Sequence, residues 1–156
     1  MNIKNHPGVY VPPPLIYVAC FLLSRIVQKI FPLATTALHT STARVAGILF
    51  ILMYLLFFAT AMVRFIRSKN TLVTIKPATS LETSGIYSFT RNPMYLSLIC
   101  LYCGLAVFLG NWWTFIFLPL LIVIVQFYVI KKEEQYLQQA FGSNYDDYKR
   151  RVRRWI

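Results

Sequence analysis

The chain has 156 residues, the length of one domain, and 57% of them are hydrophobic while only 13% are charged. This composition is too apolar for an ordinary soluble domain and indicates an integral membrane protein. The net charge of +11 could suggest a nucleic-acid partner. However, twelve of the sixteen Lys and Arg residues lie in segments 64–91 and 131–156, which flank apolar runs, so we expect a membrane topology and no nucleic-acid binding.

The N-terminal residues predict no cleavable signal peptide, because a proline cluster precedes the first apolar run. The first predicted membrane span covers residues 14–32, and Arg25 and Lys29 interrupt its second half. A short polar link at 33–43 follows it. The second predicted span covers residues 45–65 and is almost entirely apolar.

A polar segment at 67–91 leads into a second pair of predicted spans. Residues 92–130 contain no Lys, Arg, His, Asp or Glu. The third span is predicted at 93–109, and a Gly-Asn pair at 110–111 separates it from a fourth span at 113–130. A turn this short predicts that the two spans are antiparallel neighbours.

The predicted fold is therefore an all-α integral membrane protein with about four transmembrane helices and C-terminal interfacial helices. We expect one membrane domain over 1–156, with two spans and a polar link in 1–80 and a helical hairpin and tail in 81–156. The positive-inside rule predicts that segment 67–91 and both termini are cytoplasmic, at the inner membrane of the cell. Arg25 and Lys29 then lie towards the outer side, so we expect a tilted or partly inserted first helix.

The cysteines carry no predicted chemistry. Cys100 and Cys103 have the C-x-x-C spacing, and Cys20 lies in the first span. No second Cys pair or His cluster accompanies them, so we expect packing roles and no metal site.

The tail is predicted to form two helices. Residues 131–141 continue the fourth span, and Gly142 suits the position after a helix. Ser143 and Asp146 have the spacing of a capping box at the start of a second helix. An apolar stripe along it predicts an amphipathic helix at the membrane interface rather than a solvated basic tail; its members are Tyr145, Tyr148, Val152 and Trp155.

The start of the third span is a candidate anion site. Pro93 suits the first helical position and Asn92 the N-cap. The backbone N–H groups of Met94 and Tyr95 are then unpaired at the positive end of the helix dipole, and Arg91 adds a full charge.

A second polar cluster, Glu133 and Glu134 with the two lysines before them, lies at the end of the fourth span. The short turn at 110–111 places this cluster on the same membrane face as Arg91 and Tyr95. An anion site beside carboxylates suits a ligand with a carboxylate, an ammonium group and hydroxyls. Charges that merely extend to the interface at a helix end are the alternative.

Two motifs resemble a known family. "GIYSFTRNPMYLS" followed, after an apolar hairpin, by "EEQYLQQAFGSNYDDYKRRVRRW" resembles the isoprenylcysteine carboxyl methyltransferase and phospholipid methyltransferase superfamily, and in particular its short prokaryotic members. The family pattern is G-x-Y-x-x-x-R-H-P-x-Y-x-G and then E-E-x-x-L-x-x-x-F-G-x-x-Y-x-x-Y. The resemblance covers 81–155, whereas 1–80 matches only in general character.

The resemblance implies S-adenosylmethionine as methyl donor, bound by the C-terminal half at the cytoplasmic face. It implies catalytic roles for Arg91, Asn92, Glu133 and Glu134, and substrate contacts for Tyr145 and Tyr148. The implied cofactor-binding residues are Gly85, Asn92, Pro93, Met94, Tyr95, Cys100, Leu105, Ala106, Val107, Phe108, Glu133 and Glu134.

The sequence departs from the family pattern at two positions. Asn92 stands where the family has His, which removes a titratable group but keeps a hydrogen-bonding side chain. Ser97 stands where the family has Gly, and it is still small enough for close helix packing.

The expected function is S-adenosylmethionine-dependent methylation of a lipophilic, membrane-borne carboxylate, thiol or amine. The scarcity of candidate bases favours an anionic acceptor, and a prenylated cysteine is only one of several acceptors used in the family. A membrane NADPH-dependent reductase with a similar hairpin is the first alternative. A small four-span transporter is the second, although no Asp or Glu lies within a predicted span.

Overall fold

The computed structural model describes residues 7–67 and 80–156. Within these two ranges every regular element is helical, as predicted. Residues 68–79, which make up half of the predicted polar segment 67–91, lie outside the described part of the chain.

The N-terminal half contributes two long helices. Helix α1 runs over Pro13–Ile30 and begins with proline at its first position, where a missing N–H leaves no hydrogen bond unmade. A single 3₁₀ turn, Thr36–His39, follows it. Helix α2 runs over Ser41–Arg67, which is longer at both ends than the predicted span.

The C-terminal half begins with a 3₁₀ turn at Gly85–Ser88 and helix α3 at Pro93–Phe108. After the predicted turn, α4 spans Trp112–Ile124 and passes without a break into a π-helical segment, Val125–Ile130. Helix α5, Lys131–Phe141, extends the same rod. Helix α6 then occupies Ser143–Arg151.

Three of the described helical rods are long and apolar enough to cross a membrane: Pro13–Ile30, Ser41–Arg67 and the continuous Trp112–Phe141. The apolar helix Pro93–Phe108 is shorter, at 16 residues. The predicted all-α membrane fold is therefore confirmed. Helices α3 and α4 run in opposite directions, and α5 continues α4. The start of α3 and the start of α5 therefore lie at the same end of the bundle.

The helices pack as two main pairs, α2 against α3 and α1 against α4. Small residues allow the first pair to approach closely. A side chain at Gly47 would lie 3.1 Å from Val107, and one at Gly104 would lie 2.7 Å from Ile51. Both contacts are tighter than ordinary van der Waals packing, so a larger residue at either position would require neighbouring side chains to move.

A buried polar network ties the helices together at the end of the bundle where α1 ends and α4 begins. The hydroxyls of Ser24 and Thr114 are 2.8 Å apart, and Asn111 Nδ2 donates to Ser24 Oγ at 3.0 Å. Arg25, predicted to lie on the outer side, donates to the carbonyl of Leu109 at 3.1 Å. That carbonyl is near the negative end of α3, so the basic side chain has a partner there.

Two details of the tail differ from the predictions. Helix α6 begins after Gly142 without any side-chain cap, so the predicted capping box does not form. The Asp146 carboxylate instead accepts a hydrogen bond from Gln138 at 2.7 Å. In addition, Tyr145, Tyr148 and Val152 are buried against Leu81, Leu137 and Phe141, so protein contacts cover this apolar stripe.

Candidate functional site

A cavity of about 380 Å³ lies where α3 and α5 begin, and we name it the α3–α5 cavity. Its walls come from five parts of the chain: the start of α1, the last turns of α2, residues 80–87, the start of α3 and the α5–α6 region. The charged and polar residues that line it are Ser80, Glu82, Tyr87, Arg91, Asn92, Tyr95, Glu133, Glu134, Tyr136, Tyr145 and Tyr148.

Glu134 is the centre of a charge cluster at the floor of the cavity. Arg154 binds it with two hydrogen bonds, Nε to Oε1 at 2.9 Å and Nη2 to Oε2 at 2.6 Å. Arg91 Nη1 lies 3.1 Å from the same Oε1. One carboxylate thus balances two guanidinium groups. The hydrogen bonds from Glu134 raise the pKa of Arg154, so it stays charged at physiological pH.

Arg91 keeps a buried donor, Nε, that makes no hydrogen bond to any residue in the described part of the chain. Its side chain is only 12% exposed. Its Nε and Nη1 atoms are buried, and within the described ranges neither makes an aligned hydrogen bond, although Nη1 is within ion-pair distance of Glu134. A buried guanidinium whose Nε–H has no partner in the described ranges is suited to bind an anionic group of a ligand at the cavity wall.

Glu133 is held by a tyrosine pair on the other side of the cavity. The Tyr95 hydroxyl donates to Glu133 Oε1 at 2.6 Å, and Tyr17 donates to the backbone carbonyl of Tyr95 at 3.1 Å. The link from α1 through α3 to α5 fixes the position of this carboxylate. Because an ionised carboxylate only accepts hydrogen bonds, it is suited to bind hydroxyl or ammonium groups.

Asn92 occupies the N-cap position of α3 as predicted, but its side chain makes no capping hydrogen bond. Its amide Nδ2 donates instead to the carbonyl of Arg154 at 2.9 Å. Thr90 Oγ1 donates to the same carbonyl at 3.3 Å, and the backbone N–H of Arg91 donates to Arg153 at 3.0 Å. The residues before α3 thus hold the C-terminal tail against the site.

Three tyrosines from outside the spans complete the polar wall. Tyr148 donates to the carbonyl of Tyr87 at 2.6 Å, which joins α6 to the turn before α3. Burial raises the pKa of Tyr145 to about 12, and burial also raises the pKa of Tyr148 and of Tyr87. All three hydroxyls are therefore protonated at neutral pH and can donate hydrogen bonds.

The remaining wall of the cavity is apolar. Phe58, Met62 and Phe65 line it from the last turns of α2, and Leu98 lines it from α3. Because α2 is one of the helices long enough to cross a membrane, this wall joins the polar cluster to the lipid-facing part of the molecule. The cavity can thus accept a molecule that is polar at one end and apolar at the other.

Most of the predicted site residues meet at this cavity. Those that line it are Arg91, Asn92, Pro93, Met94, Tyr95, Glu133, Glu134, Tyr145 and Tyr148. Lys131 and Lys132, which precede the acidic pair, do not. Lys132 Nζ instead donates to the carbonyl of Gly8 at 3.3 Å.

The other predicted cofactor residues lie elsewhere. Leu105, Ala106, Val107 and Phe108 form the last turn of α3, at the far end of the helix from the cavity, and Val107 and Phe108 pack against Gly47. Cys100 is buried in the middle of α3 and is not part of the cavity wall. Gly85 lies under Arg64, and its φ of +60° favours glycine. The assignment of these residues to the cofactor site stays a prediction, and they do not line the α3–α5 cavity.

Sequence reasoning missed Arg154, Tyr17 and Tyr87. Arg154 is one of seven basic residues after position 130, and nothing in its spacing separates it from the others. The signal that was present is the charge balance: two adjacent carboxylates beside a membrane span require cationic partners.

Comparisons with known proteins agree with this architecture. The family model for phospholipid methyltransferase matches residues 42–144. An uncharacterized protein of Haemophilus influenzae is 36% identical over 63 residues, which is 40% of this chain and 100% of that protein. A protein-S-isoprenylcysteine O-methyltransferase of Schizosaccharomyces pombe is 34% identical over 74 residues, 46% of this chain and 30% of the yeast protein.

No solved structure matches the chain with comparable significance. The family model covers α2 to the start of α6 and includes both halves of the polar cluster, Arg91 on one side and Glu134 on the other. The chain therefore belongs to the phospholipid methyltransferase family, and it is a membrane methyltransferase.

Proposed function

We propose that the protein transfers a methyl group from S-adenosylmethionine to a lipophilic acceptor that reaches the α3–α5 cavity from the bilayer. The main support for this proposal is that one cavity of about 380 Å³ has charged residues on one side and an apolar wall on the other. The volume lies in the range of small-molecule sites.

The donor set suits the ionic groups of S-adenosylmethionine. Arg91, beside the start of α3 and with an Nε–H that has no partner in the described ranges, would hold the amino-acid carboxylate. Glu133 would accept hydrogen bonds from the ammonium group or the ribose hydroxyls. Glu134 is shared with Arg91 and Arg154, so its role would be to orient these two side chains. When bound, the cofactor supplies a methyl carbon that is already activated by the positive sulfur.

Because the donor is activated, the chain mainly has to align the two reactants and exclude water. The apolar side chains Phe58, Met62 and Phe65 would hold the acceptor's hydrocarbon part against the site. The described ranges contain one histidine, His39, and it lies beside Gly110 at the opposite end of the bundle from the cavity. This arrangement favours a carboxylate or thiolate acceptor, which needs no base in the transfer step.

The orientation of the site follows from charge. Arg64 and Arg67 at the end of α2, Arg91, and the tail arginines all lie at the cavity end of the bundle. By the positive-inside rule we propose that this end, with both termini, faces the cytoplasm at the cell membrane. The acceptor would then be a lipid or lipidated molecule presented in the inner leaflet.

Calorimetry of the purified protein with S-adenosylhomocysteine tests the cofactor assignment. We expect saturable binding that Arg91→Gln weakens at least tenfold, because the carboxylate loses its charged partner. Arg153→Gln removes one exposed charge from the nearby tail and should bind like the wild type. Protein that is folded by circular dichroism yet binds no S-adenosylhomocysteine would contradict the proposal.

The acceptor is identified separately. Membranes that contain the protein are incubated with isotopically labelled S-adenosylmethionine, and lipid extracts and membrane proteins are searched by mass spectrometry for a labelled methyl group. The product should disappear with Arg91→Gln and remain with Arg153→Gln. A product that is water-soluble and lacks any hydrocarbon chain would overturn the lipophilic acceptor.

A further inference from the structure

A second depression, of about 720 Å³, lies along α5 and is distinct from the α3–α5 cavity. We name it the α5–α6 groove. The two sites share Glu134 in their walls. Polar residues dominate the groove lining, which consists of Gln126, Phe127, Lys131, Glu134, Gln135, Gln138, Gln139, Lys149 and Arg154.

The charge of this lining is positive. Lys131, Lys149 and Arg154 face a single carboxylate, that of Glu134. Arg154 is bound to Glu134, and Lys149 is bound to Asp146 at 2.9 Å and to Gln138 at 2.6 Å. Lys131 is exposed and has no ion pair or hydrogen bond to any residue in the described part of the chain. The groove therefore presents an unpaired ammonium group within a basic wall.

The groove lies where the apolar part of the Trp112–Phe141 rod ends and its polar part begins. Phe127 is 59% exposed and belongs to the apolar part of the rod, while Lys131 begins its polar part. Gln126 carries the polar lining one turn further into the apolar part, where its Oε1 accepts a hydrogen bond from the Trp155 indole at 3.1 Å. Tryptophan at such a position is typical of a membrane–water interface.

We propose that the α5–α6 groove binds the headgroup of an anionic phospholipid. The phosphate would pair with Lys131 and Lys149, and headgroup hydroxyls would meet the amides of Gln135 and Gln139. An acyl chain would follow the exposed side of Phe127 into the bilayer. Neutral amides beside cations suit a hydroxylated phosphodiester, and basic pockets at this depth attract anionic lipid on the cytoplasmic side. The proposal does not depend on the methyl-transfer reaction.

The groove is placed to affect the other site. Arg154 lines the groove and also forms two hydrogen bonds to Glu134 of the α3–α5 cavity. An anion in the groove would thus lie near the same guanidinium group as the Glu134 carboxylate, and it would help to hold the tail in place.

Quenching of Trp155 fluorescence by brominated lipids tests the proposal, because this indole contacts Gln126 in the groove wall. The full-length protein with Trp112→Phe and Trp113→Phe leaves Trp155 as the one tryptophan. It is placed in phosphatidylcholine vesicles that contain increasing fractions of either brominated phosphatidylglycerol or brominated phosphatidylcholine. We expect phosphatidylglycerol to reach half-maximal quenching at a several-fold lower mole fraction.

Two matched variants separate the groove from general surface charge. Lys131→Gln should reduce the preference for phosphatidylglycerol about fivefold, the effect of one basic residue near an anionic surface. Arg153→Gln removes another exposed charge, which lies outside the groove, and should keep the preference. Equal quenching by both lipids, or equal loss in both variants, would overturn the proposal.

Two further measurements complete the test. Inorganic phosphate is added at constant ionic strength, and reversal of the phosphatidylglycerol effect would assign the groove to free phosphate rather than to a lipid. Trp113 donates a hydrogen bond to Phe31 at 2.8 Å, so the double Trp variant can lose stability. Native mass spectrometry of protein with its tryptophans intact covers this case: retained phosphatidylglycerol adducts should decrease in Lys131→Gln and persist in Arg153→Gln, and equal adducts in both would contradict the site.

Discussion

The side-chain amide of Asn92 donates a hydrogen bond to the backbone carbonyl of Arg154 at 2.9 Å. This contact joins the N-cap residue of α3 to the C-terminal tail, 62 residues away in sequence. An asparagine or a histidine side chain carries an N–H donor, so both residue types are chemically suited to a hydrogen bond of this kind.

Asn92→Asp should loosen the tail. The substitution keeps the shape of the side chain but replaces the N–H donor with an acceptor that faces a carbonyl. We expect a loss of about 1–2 kcal/mol in the free energy of unfolding, together with weaker S-adenosylhomocysteine binding. Chemical unfolding in detergent and calorimetry measure the two effects. Asn92→His restores a donor and should retain most of the binding; if it behaves like Asp, the hydrogen bond is not what matters at this position.

Glu134→Gln should destabilise the protein because it leaves two guanidinium groups without their counter-ion. We expect a loss of about 2 kcal/mol, less than for a fully buried ion pair, because Arg154 is 35% exposed. Asp147→Asn is a matched control, since Asp147 forms an exposed ion pair with Arg150 and should cost at most about 0.5 kcal/mol. If both substitutions lower the free energy of unfolding by the same amount, the Glu134 cluster stabilises the protein no more than an exposed ion pair does.

Tyr95→Phe should weaken cofactor binding more than it lowers stability. The substitution removes the hydroxyl that donates to Glu133 at 2.6 Å, so the carboxylate is no longer held in one position. We expect affinity for S-adenosylhomocysteine to fall about tenfold or more by calorimetry, the effect of losing one hydrogen bond to a charged group. Tyr54→Phe removes a hydroxyl from α2 outside the cavity wall, and its affinity should match the wild type.

Thr114→Val tests whether the two ends of the bundle are independent. Thr114 is fully buried and its hydroxyl lies 2.8 Å from that of Ser24, so the variant should lose about 1–3 kcal/mol of stability. The network lies at the opposite end from the α3–α5 cavity, and S-adenosylhomocysteine affinity should not change in the folded protein. A large change in affinity at unchanged fold would reveal coupling through α4.

The helices and the closeness of Arg91 to Glu134 could be predicted from sequence, because they follow from local properties, whereas the ion pair between the two side chains was not predicted. Apolar runs of sufficient length define the spans, and a two-residue turn fixes the direction of the hairpin. The start of α3 and the start of α5 must then lie at the same end, and the observed separation of 3.1 Å between these side chains agrees with that reasoning.

The contacts of the tail could not be predicted in the same way. Arg154 meets Glu134 only because the chain turns back after α6, and one arginine among several carries no local mark of such a fold. The capping box at Ser143 failed for a related reason: Gln138, one helix earlier, competes for the Asp146 carboxylate and binds it at 2.7 Å. The resemblance implies a cofactor role for Leu105–Phe108, which stays a prediction, and α3 contributes its first turns to the α3–α5 cavity.

The π-helical segment Val125–Ile130 determines the direction in which the Glu133 and Glu134 carboxylates point. Each residue of an α-helix advances the side-chain direction by about 100° and the chain by about 1.5 Å. A π-helical turn holds one more residue than an α-helical turn. Deleting one residue here would therefore turn Glu133 and Glu134 about a quarter of a circle around the axis of α5, away from Tyr95 and Arg91. The number of residues between Pro119 and Lys131 thus fixes the direction, around the axis of α5, in which the Glu133 and Glu134 side chains point.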